Sequence, residues 1–408
     1  MDRDREGLIY DWNVAQGARP RPAWPIQFDD ETLRDGLQSP SVTDPEIPAK
    51  VELLHLMEAL GIHTADIGLP GAGPRAKAHV EALAREIVAS KLKIRANCAA
   101  RTVIADIDPI ADVTQRTGLP IEACLFIGSS PIRQYAEDWT VERMLEHTTT
   151  AIRHAVKLGL KVMYVTEDTT RAHPDTLRRL YTAAIREGAS RLCFCDTVGH
   201  ATPDGVRALI GWGKALTAEL QADVGIDWHG HRDRGMDLAN TLAAIEAGAS
   251  RVHGAAIGIG ERVGNTPMDL ILVNLKLMGW IDHDLRRLPE YCRKASEACG
   301  VPIPPNYPVV GSDAFETGTG VHAAAVIKAL RKQDAWLADR VYSGVPAGEF
   351  GLSQNVRVGP MSGKSNVVFW LERHGIPVTD ETVERVFRAA KASPRLLTDA
   401  EITVAAQP

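Results

Sequence analysis

The chain has few aromatic residues, 5% of 408, and no apolar run near the roughly 18 residues of a membrane span. No basic block or aromatic–basic stripe is present, net charge is −6 and the pI is about 6.1. That excludes the electrostatic footprint of a nucleic-acid binder. Its opening, Met1-Asp-Arg-Asp-Arg-Glu, is too polar for a secretory signal. Six cysteines (Cys98, Cys124, Cys193, Cys195, Cys292, Cys299) show neither zinc-finger nor disulfide-framework spacing. Four of them fall in apolar, strand-like runs, where cysteine reads as a small core residue. A soluble cytoplasmic protein with no nucleic-acid or membrane partner is expected. The composition is 45% hydrophobic and 24% charged. That is enough for a large core, and the length allows two or three domains.

Short apolar runs alternate with helical patterns from residue 25 to about 280. Eight strands are predicted, at 25–29, 64–69, 93–99, 122–127, 161–167, 191–196, 224–231 and 251–257. Between them, apolar residues recur at i, i+3, i+4 and i+7. Several of these helical segments end on glycine, at Gly61, Gly188 and Gly248, as a helix C-terminus does. Pro174, Pro203 and Pro267 stand near helix starts. Eight β-then-α units over about 250 residues predict an α/β fold, the (β/α)8 TIM barrel. The continuous apolar character of several strands suits a parallel sheet covered on both faces. Residues 1–24 read as an N-terminal arm, 25–284 as the barrel, and 285–408 as a linker and a smaller, mostly helical C-terminal region.

In such a barrel the active site lies at the C-terminal ends of the strands. Reactive residues should therefore gather where strands end, and they do. The first strand is followed by Asp29-Asp-Glu-Thr-Leu-Arg-Asp-Gly-Leu-Gln38. The fifth is followed by Glu167-Asp-Thr-Thr-Arg171, the sixth by Asp196-Thr197-Val-Gly-His. The seventh closes on His229-Gly-His231, and the eighth leads into Gly258-Ile-Gly-Glu-Arg-Val-Gly-Asn265. Two imidazoles at i and i+2 of a strand share a face and suit a divalent ion. With a carboxylate, for which Asp35 is the choice, they leave coordination positions open for a chelating substrate. Arg34 would then place a fixed cation beside a developing oxyanion. Taken singly, Arg34–Asp35 also reads as a surface ion pair, and Glu167–Arg171 as a salt bridge at the barrel mouth. Gly359-Pro-Met-Ser-Gly-Lys-Ser is one residue short of a phosphate loop and lacks the surrounding βαβ unit.

Three motifs in this order, Thr32-Leu-Arg-Asp-Gly, His229-x-His231 and Gly258-x-Gly-Glu-Arg-x-Gly-Asn265, resemble the DRE-TIM metallolyase family. It includes isopropylmalate, homocitrate and citramalate synthases and hydroxymethylglutaryl-CoA lyase. Asp66-Ile-Gly-Leu-Pro, Glu167-Asp-Thr-Thr-Arg and Asp196-Thr-Val-Gly resemble further family segments, so the likeness spans the barrel. It implies a divalent metal (zinc, manganese or magnesium) on Asp35, His229 and His231, with Asn265 as a further or outer ligand. It implies that Arg34 polarises the substrate carbonyl and that Gln38, Glu167 and Thr197 contact a 2-oxo acid. Past the barrel, Thr317-Gly-Thr-Gly-Val-His322, Tyr342-Ser-Gly-Val-Pro and Met361-Ser-Gly-Lys-Ser are similar to segments of the synthases. There, residues like His322 and Tyr342 reach the partner subunit's site near acetyl-CoA, which implies a homodimer. His322 and Glu167 are the candidates for proton transfer. The resemblance thus implies a Claisen condensation of acetyl-CoA with a 2-oxo acid, of the kind used in amino-acid biosynthesis. The alternative is lyase- or aldolase-type C–C cleavage: Arg34-Asp-Gly-Leu37-Gln is the lyase spelling. Arg232 stands where the synthases carry Asn: either it or a neighbouring basic side chain favours an acceptor with a second anionic group, or it is an outward-facing solvated arginine.

Overall fold

The computed structural model describes residues 7–15, 17 and 20–407. Part of the N-terminal arm, including the opening hexapeptide, lies outside the described residues. Eight strands close into an all-parallel barrel in chain order. They are β1 (Gln27–Asp30), β2 (Thr64–Asp66), β3 (Arg95–Arg101), β4 (Ile121–Gly128), β5 (Val162–Glu167), β6 (Arg191–Asp196), β7 (Gly225–Gly230) and β8 (Arg251–Gly254). β8 pairs back onto β1, with Phe28 opposite Val252, so no strand edge is left open. Every predicted strand is present, and the bounds differ by a few residues.

The helices wrapped around the barrel are α1 (Ile47–Ala59), α2 (Pro74–Ala89), α3 (Ile104–Thr117), α4 (Pro131–Ala136), α5 (Val141–Lys157), α6 (Pro174–Arg186), α7 (Pro203–Glu219), α8 (Asp237–Ala247), α9 (Met268–Leu277) and α10 (Leu288–Cys299). Their ends follow from local chemistry. Thr140 Oγ1 accepts the Arg143 amide at the start of α5, and Pro174 and Pro203 occupy first-turn positions that need no N–H. Gly248 takes φ +122° where α8 stops, a conformation that side chains disfavour. Short α4, after β4, is an addition that the periodicity did not reveal.

The apolar core lies between the barrel and its helices and continues past residue 284. Leu288, Tyr291 and Cys292 of α10, then Tyr307, Phe315 and Phe350, belong to the same buried cluster as Phe28 and Trp228. Beyond them a short parallel pair, β9 (Glu316–Thr317) with β10 (Asn355–Val356), accompanies α11 (Gly320–Arg331), α12 (Ala335–Ala338), α13 (Lys364–Arg373), α14 (Asp380–Ala392) and α15 (Asp399–Ala406). This mostly helical region has apolar clusters of its own. One is built on Val367, Trp370, Leu371 and Val386, and the other on Val326, Ile327 and Phe369. All six cysteines are buried and unpaired. Among the described residues no helix is long and apolar enough to cross a membrane.

Candidate metal centre at the barrel mouth

One cavity opens at the C-terminal ends of the strands. Its lining includes Arg34, Asp35, Gln38, Glu167, Thr197, His229 and His231. Seven side chains named from the sequence, drawn from four strand ends, thus face one space. β7 carries His229 and leads directly into His231. The loop after β1 folds Asp35 back toward them through Gly36 N–H to Glu31 O, at 2.9 Å.

The geometry suits one cation. His229 Nε2 lies 3.2 Å from His231 Nε2 and 3.4 Å from Asp35 Oδ2. His231 Nε2 lies 3.7 Å from Asp35 Oδ2. Ligands about 2.0–2.1 Å from a tetrahedral zinc stand roughly 3.3 Å apart, so the three atoms form one face of such a polyhedron. All three residues are buried. Asn265 sits behind this face: residue 265 bridges residue 231, its amide nitrogen donates to Ile259 O at 3.3 Å, and its buried Oδ1 has no hydrogen-bond partner among the described residues. An orphaned buried oxygen beside two imidazoles and a carboxylate fits a divalent ion.

The glycine loop after β8 makes this closeness physical. A Cβ on Gly264 would lie 1.9 Å from Gly258 O, and Gly264 has φ +108°. Only glycine satisfies both conditions. The loop is clasped from outside by Arg262, whose Nε donates to Asp233 at 2.9 Å and whose Nη2 donates to Thr197 O at 2.6 Å. Within it, Glu261 N–H donates to Asp35 Oδ1 at 3.4 Å.

Arg34 is no surface ion pair. Its Nε donates to Asp66 Oδ2 at 2.8 Å and its Nη1 to Asp35 Oδ2 at 3.2 Å, while Nη2 pairs with Glu31. Carboxylates outnumber the guanidinium. Burial opposes ionisation of Glu31 and Asp35, but Arg34 and the adjacent histidines hold both carboxyls well below the usual range. Burial alone would lower His229, yet Asp35 and Glu31 lift it to about 10. Burial, then His229, hold His231 down at about 4. Net negative charge around two imidazoles is what a dication site requires.

Glu167 ends β5 and lines the cavity. Arg171 does not pair with it; that guanidinium grips Asp168 instead, at 2.7 and 2.8 Å. Burial raises the Glu167 carboxyl above its ordinary value, as suits a proton-transfer group. Thr197 Oγ1 accepts the Asp168 amide at 2.8 Å. Arg232 is not among the lining residues. It packs against the glycine loop, 2.5 Å from where a Gly258 Cβ would sit, and faces the charges of Asp237 and Asp269. His322 and Tyr342 are absent from this cavity too. They stack on one another, centroids 4.2 Å apart, in a cleft of the C-terminal region beside Thr317, Gly318 and Thr319.

Comparison with known proteins agrees with this geometry. The HMGL-like family profile matches residues 25–291. The chain belongs to the HMGL-like family. Among family members, it is 33% identical over 368 residues to a homocitrate synthase (AksA) of Methanopyrus kandleri, covering 89% of this chain and 86% of that protein. A probable 2-isopropylmalate synthase of the same organism is 32% identical over 371 residues, 90% and 69% of the two chains. Homocitrate synthase 1 of a Nostoc species is 31% identical over 371 residues, 90% and 92%. Among solved structures, the HMG-CoA lyase of Brucella melitensis superposes with a TM-score of 0.56 at 18% identity, covering 67% of this chain and 99% of that one. The barrel fold is therefore shared with that lyase.

Sequence reasoning gave no role to Glu31, His253 or Asp66, although Asp66 opens one of the segments quoted for the resemblance. The first two line the cavity. Glu31 stood inside the recognised loop, and its spacing of three from Arg34 was a usable sign. His253 had none, lying inside an apolar strand.

Proposed function

We propose that this chain condenses acetyl-CoA with a 2-oxo acid and hydrolyses the thioester, giving a 2-alkylmalate-type product and free CoA. The observation that carries the reading is the convergence of Asp35, His229 and His231 within ion-binding distance, with Arg34 hydrogen-bonded to that same Asp35. The named synthase relatives support the reaction class and a place in amino-acid biosynthesis. A divalent cation on Asp35, His229 and His231, with Asn265 as a further or outer ligand, would act as a Lewis acid toward the acid's carboxylate and keto oxygens. Two imidazoles with one carboxylate favour zinc or manganese over magnesium.

The remaining work falls to side chains. Arg34 stabilises the negative charge that grows on the keto oxygen as the new C–C bond forms. Gln38 and Thr197 hold the acid at the rim and wall of the cavity. Glu167, its carboxyl raised by burial, takes the methyl proton of acetyl-CoA or returns a proton to the product. His322 and Tyr342 serve the neighbouring subunit's barrel in a homodimer, His322 as the second proton-transfer candidate. Their exposed stacking on a cleft away from the protomer's own cavity suits that task. Leu37, the lyase-like departure, packs against the barrel's apolar cluster rather than lining the cavity, so it carries little weight for cleavage. CoA thiol release, followed with a thiol reagent across a panel of 2-oxo acids with added zinc or manganese, tests the reading. Release with at least one acid is expected. No release with any acid, together with cleavage of a 3-hydroxyacyl-CoA, would move the chain to the lyases.

A further inference from the structure

The barrel interior holds a second cluster of ligand-type atoms: Glu31, His229 and His253 lie within 4.8 Å of one another. Its hydrogen bonds argue against a second ion. His253 Nδ1 stands 2.9 Å from Glu31 Oε1 and its Nε2 3.1 Å from Asp227 Oδ2. A ring held at hydrogen-bond distance by a carboxylate on each nitrogen, closer than the 3.4 and 3.5 Å that separate His229 from Asp35 and Glu31, carries N–H on each and has no lone pair to offer a cation. Asp227 is itself clamped by Arg251 Nε at 2.5 Å and Arg191 Nε at 2.6 Å. The network therefore holds Glu31 rigidly from below.

Above, Glu31 meets two members of the ion site. Its Oε2 pairs with Arg34 Nη2, and its Oε1 lies 3.5 Å from His229 Nδ1. That distance is long for a hydrogen bond, so the carboxylate acts on the ring by charge. It favours keeping the proton at Nδ1, so that Nε2, which faces Asp35 and His231, is the nitrogen that would give up its proton to a cation. His231 has no such support; its Nδ1 is buried without a partner among the described residues.

We propose, resting on the ion-site reading above, that Glu31 is a positioning residue, fixing the tautomer of His229 and the fork of Arg34, and that His253 holds Glu31 in place. The test is Glu31→Gln, which keeps the volume and removes the charge, compared with His253→Gln and with Glu122→Gln. Glu122 pairs with Arg251 at the far end of the same network, at 2.7 Å. Zinc affinity is measured by competition with a chromogenic chelator, and the ligand field by the absorption bands of added cobalt. Glu31→Gln should bind zinc about 10–100-fold more weakly with shifted cobalt bands, and His253→Gln should move both in the same direction by less. Glu122→Gln should melt lower and bind zinc as the parent does. Parent-like zinc affinity and cobalt bands in Glu31→Gln overturn the assignment, as does an equal loss in Glu122→Gln. If Glu31→Gln does not fold, parent-like affinity in His253→Gln overturns it instead. A parent chain that binds neither zinc nor cobalt overturns the ion site itself.

Discussion

Replacing Arg34 by glutamine separates the reaction from the site that hosts it. The guanidinium touches three carboxylates, those of Asp66, Asp35 and Glu31, and its side chain is 19% exposed. Breaking a buried ion pair from one side costs about 3–5 kcal/mol. Here the cost falls at the low end, because solvent reaches Arg34 and because burial already pushes the Asp66 carboxyl up to about 8, so it can take a proton. The variant should fold with a lowered melting temperature. Losing one pre-placed oxyanion donor removes about 2.7–4 kcal/mol of transition-state stabilisation, or roughly 10²–10³ in kcat. Metal content moves the other way. Without Nη1, Asp35 keeps its carboxylate for the ion, so zinc measured by elemental analysis should equal or exceed the parent's. The assay is CoA release with the best 2-oxo acid of the panel. A folded Arg34→Gln with kcat within about threefold of the parent would refute the role. Loss of zinc in step with turnover would mean that Arg34 builds the centre rather than serving the reaction.

Other outcomes follow from the same geometry. His229→Ala should lose both zinc and turnover, and chelation followed by dialysis should silence the parent until a divalent ion is restored; activity that survives dialysis refutes the metal role. Glu167→Gln should lower kcat by about 10²–10⁴, and the acid limb of the parent's kcat/KM profile, which lies above an ordinary glutamate value because burial raises this carboxyl, should vanish; a limb that persists assigns the proton to another group. The melting temperature of the chelated protein should fall as pH rises from about 6.5 toward 10. Against burial, Asp35 and Glu31 lift His229 to about 10 and the neighbouring Cys193, Asp29, Asp227 and Glu31 lift His253 to about 10, while burial lifts Asp30 to about 7 and Asp66 to about 8. The folded chain thus holds more protons than the unfolded one throughout that window, and a flat or rising melting curve would contradict these environments. Mixing inactive His322→Ala with inactive Arg34→Gln should restore part of the activity if each C-terminal region serves its neighbour's barrel; no recovery in a mixed dimer places His322 outside the site.

Much of this architecture was legible in the chain because it rests on local pattern. Strands announced themselves by apolar runs, and helices by glycine ends such as Gly61 and Gly248. Asp35, His229 and His231 could be named because a barrel rule turns sequence position into spatial position: residues just after strands share one mouth. The placement of Arg232 stayed open in the sequence because a residue next to His231 on a turn can point either way, and here it turns to Asp237 and Asp269. The interior network was invisible for a different reason. Asp227 and His253 sit on neighbouring strands, and each reads from sequence as an isolated polar interruption of an apolar run. Only barrel closure brings β7, β8 and β1 together and makes Asp227, His253 and Glu31 partners.

The cysteines carry a second feature that their sequence positions did not mark. Their scarcity and spacing suggested packing residues, and Cys98, Cys292 and Cys299 are that. Cys124, Cys193 and Cys195 are buried as well, and with Met163 they form a small cluster whose members also line the cavity shared by Asp35, His229 and His231. Burial raises the thiols of Cys124 and Cys193 well above their ordinary value, so these sulfurs stay neutral and are neither ligands nor nucleophiles at neutral pH. They act as a polarisable, weakly hydrated wall together with Phe126 and Val165. Such a floor keeps the local dielectric low, and Coulomb interactions scale inversely with it. On the function proposed above, Arg34 would act on an oxyanion in this cavity with more force than the same guanidinium in water. Charged side chains at the mouth and uncharged sulfur below are two halves of one electrostatic device, and only the upper half carried a motif.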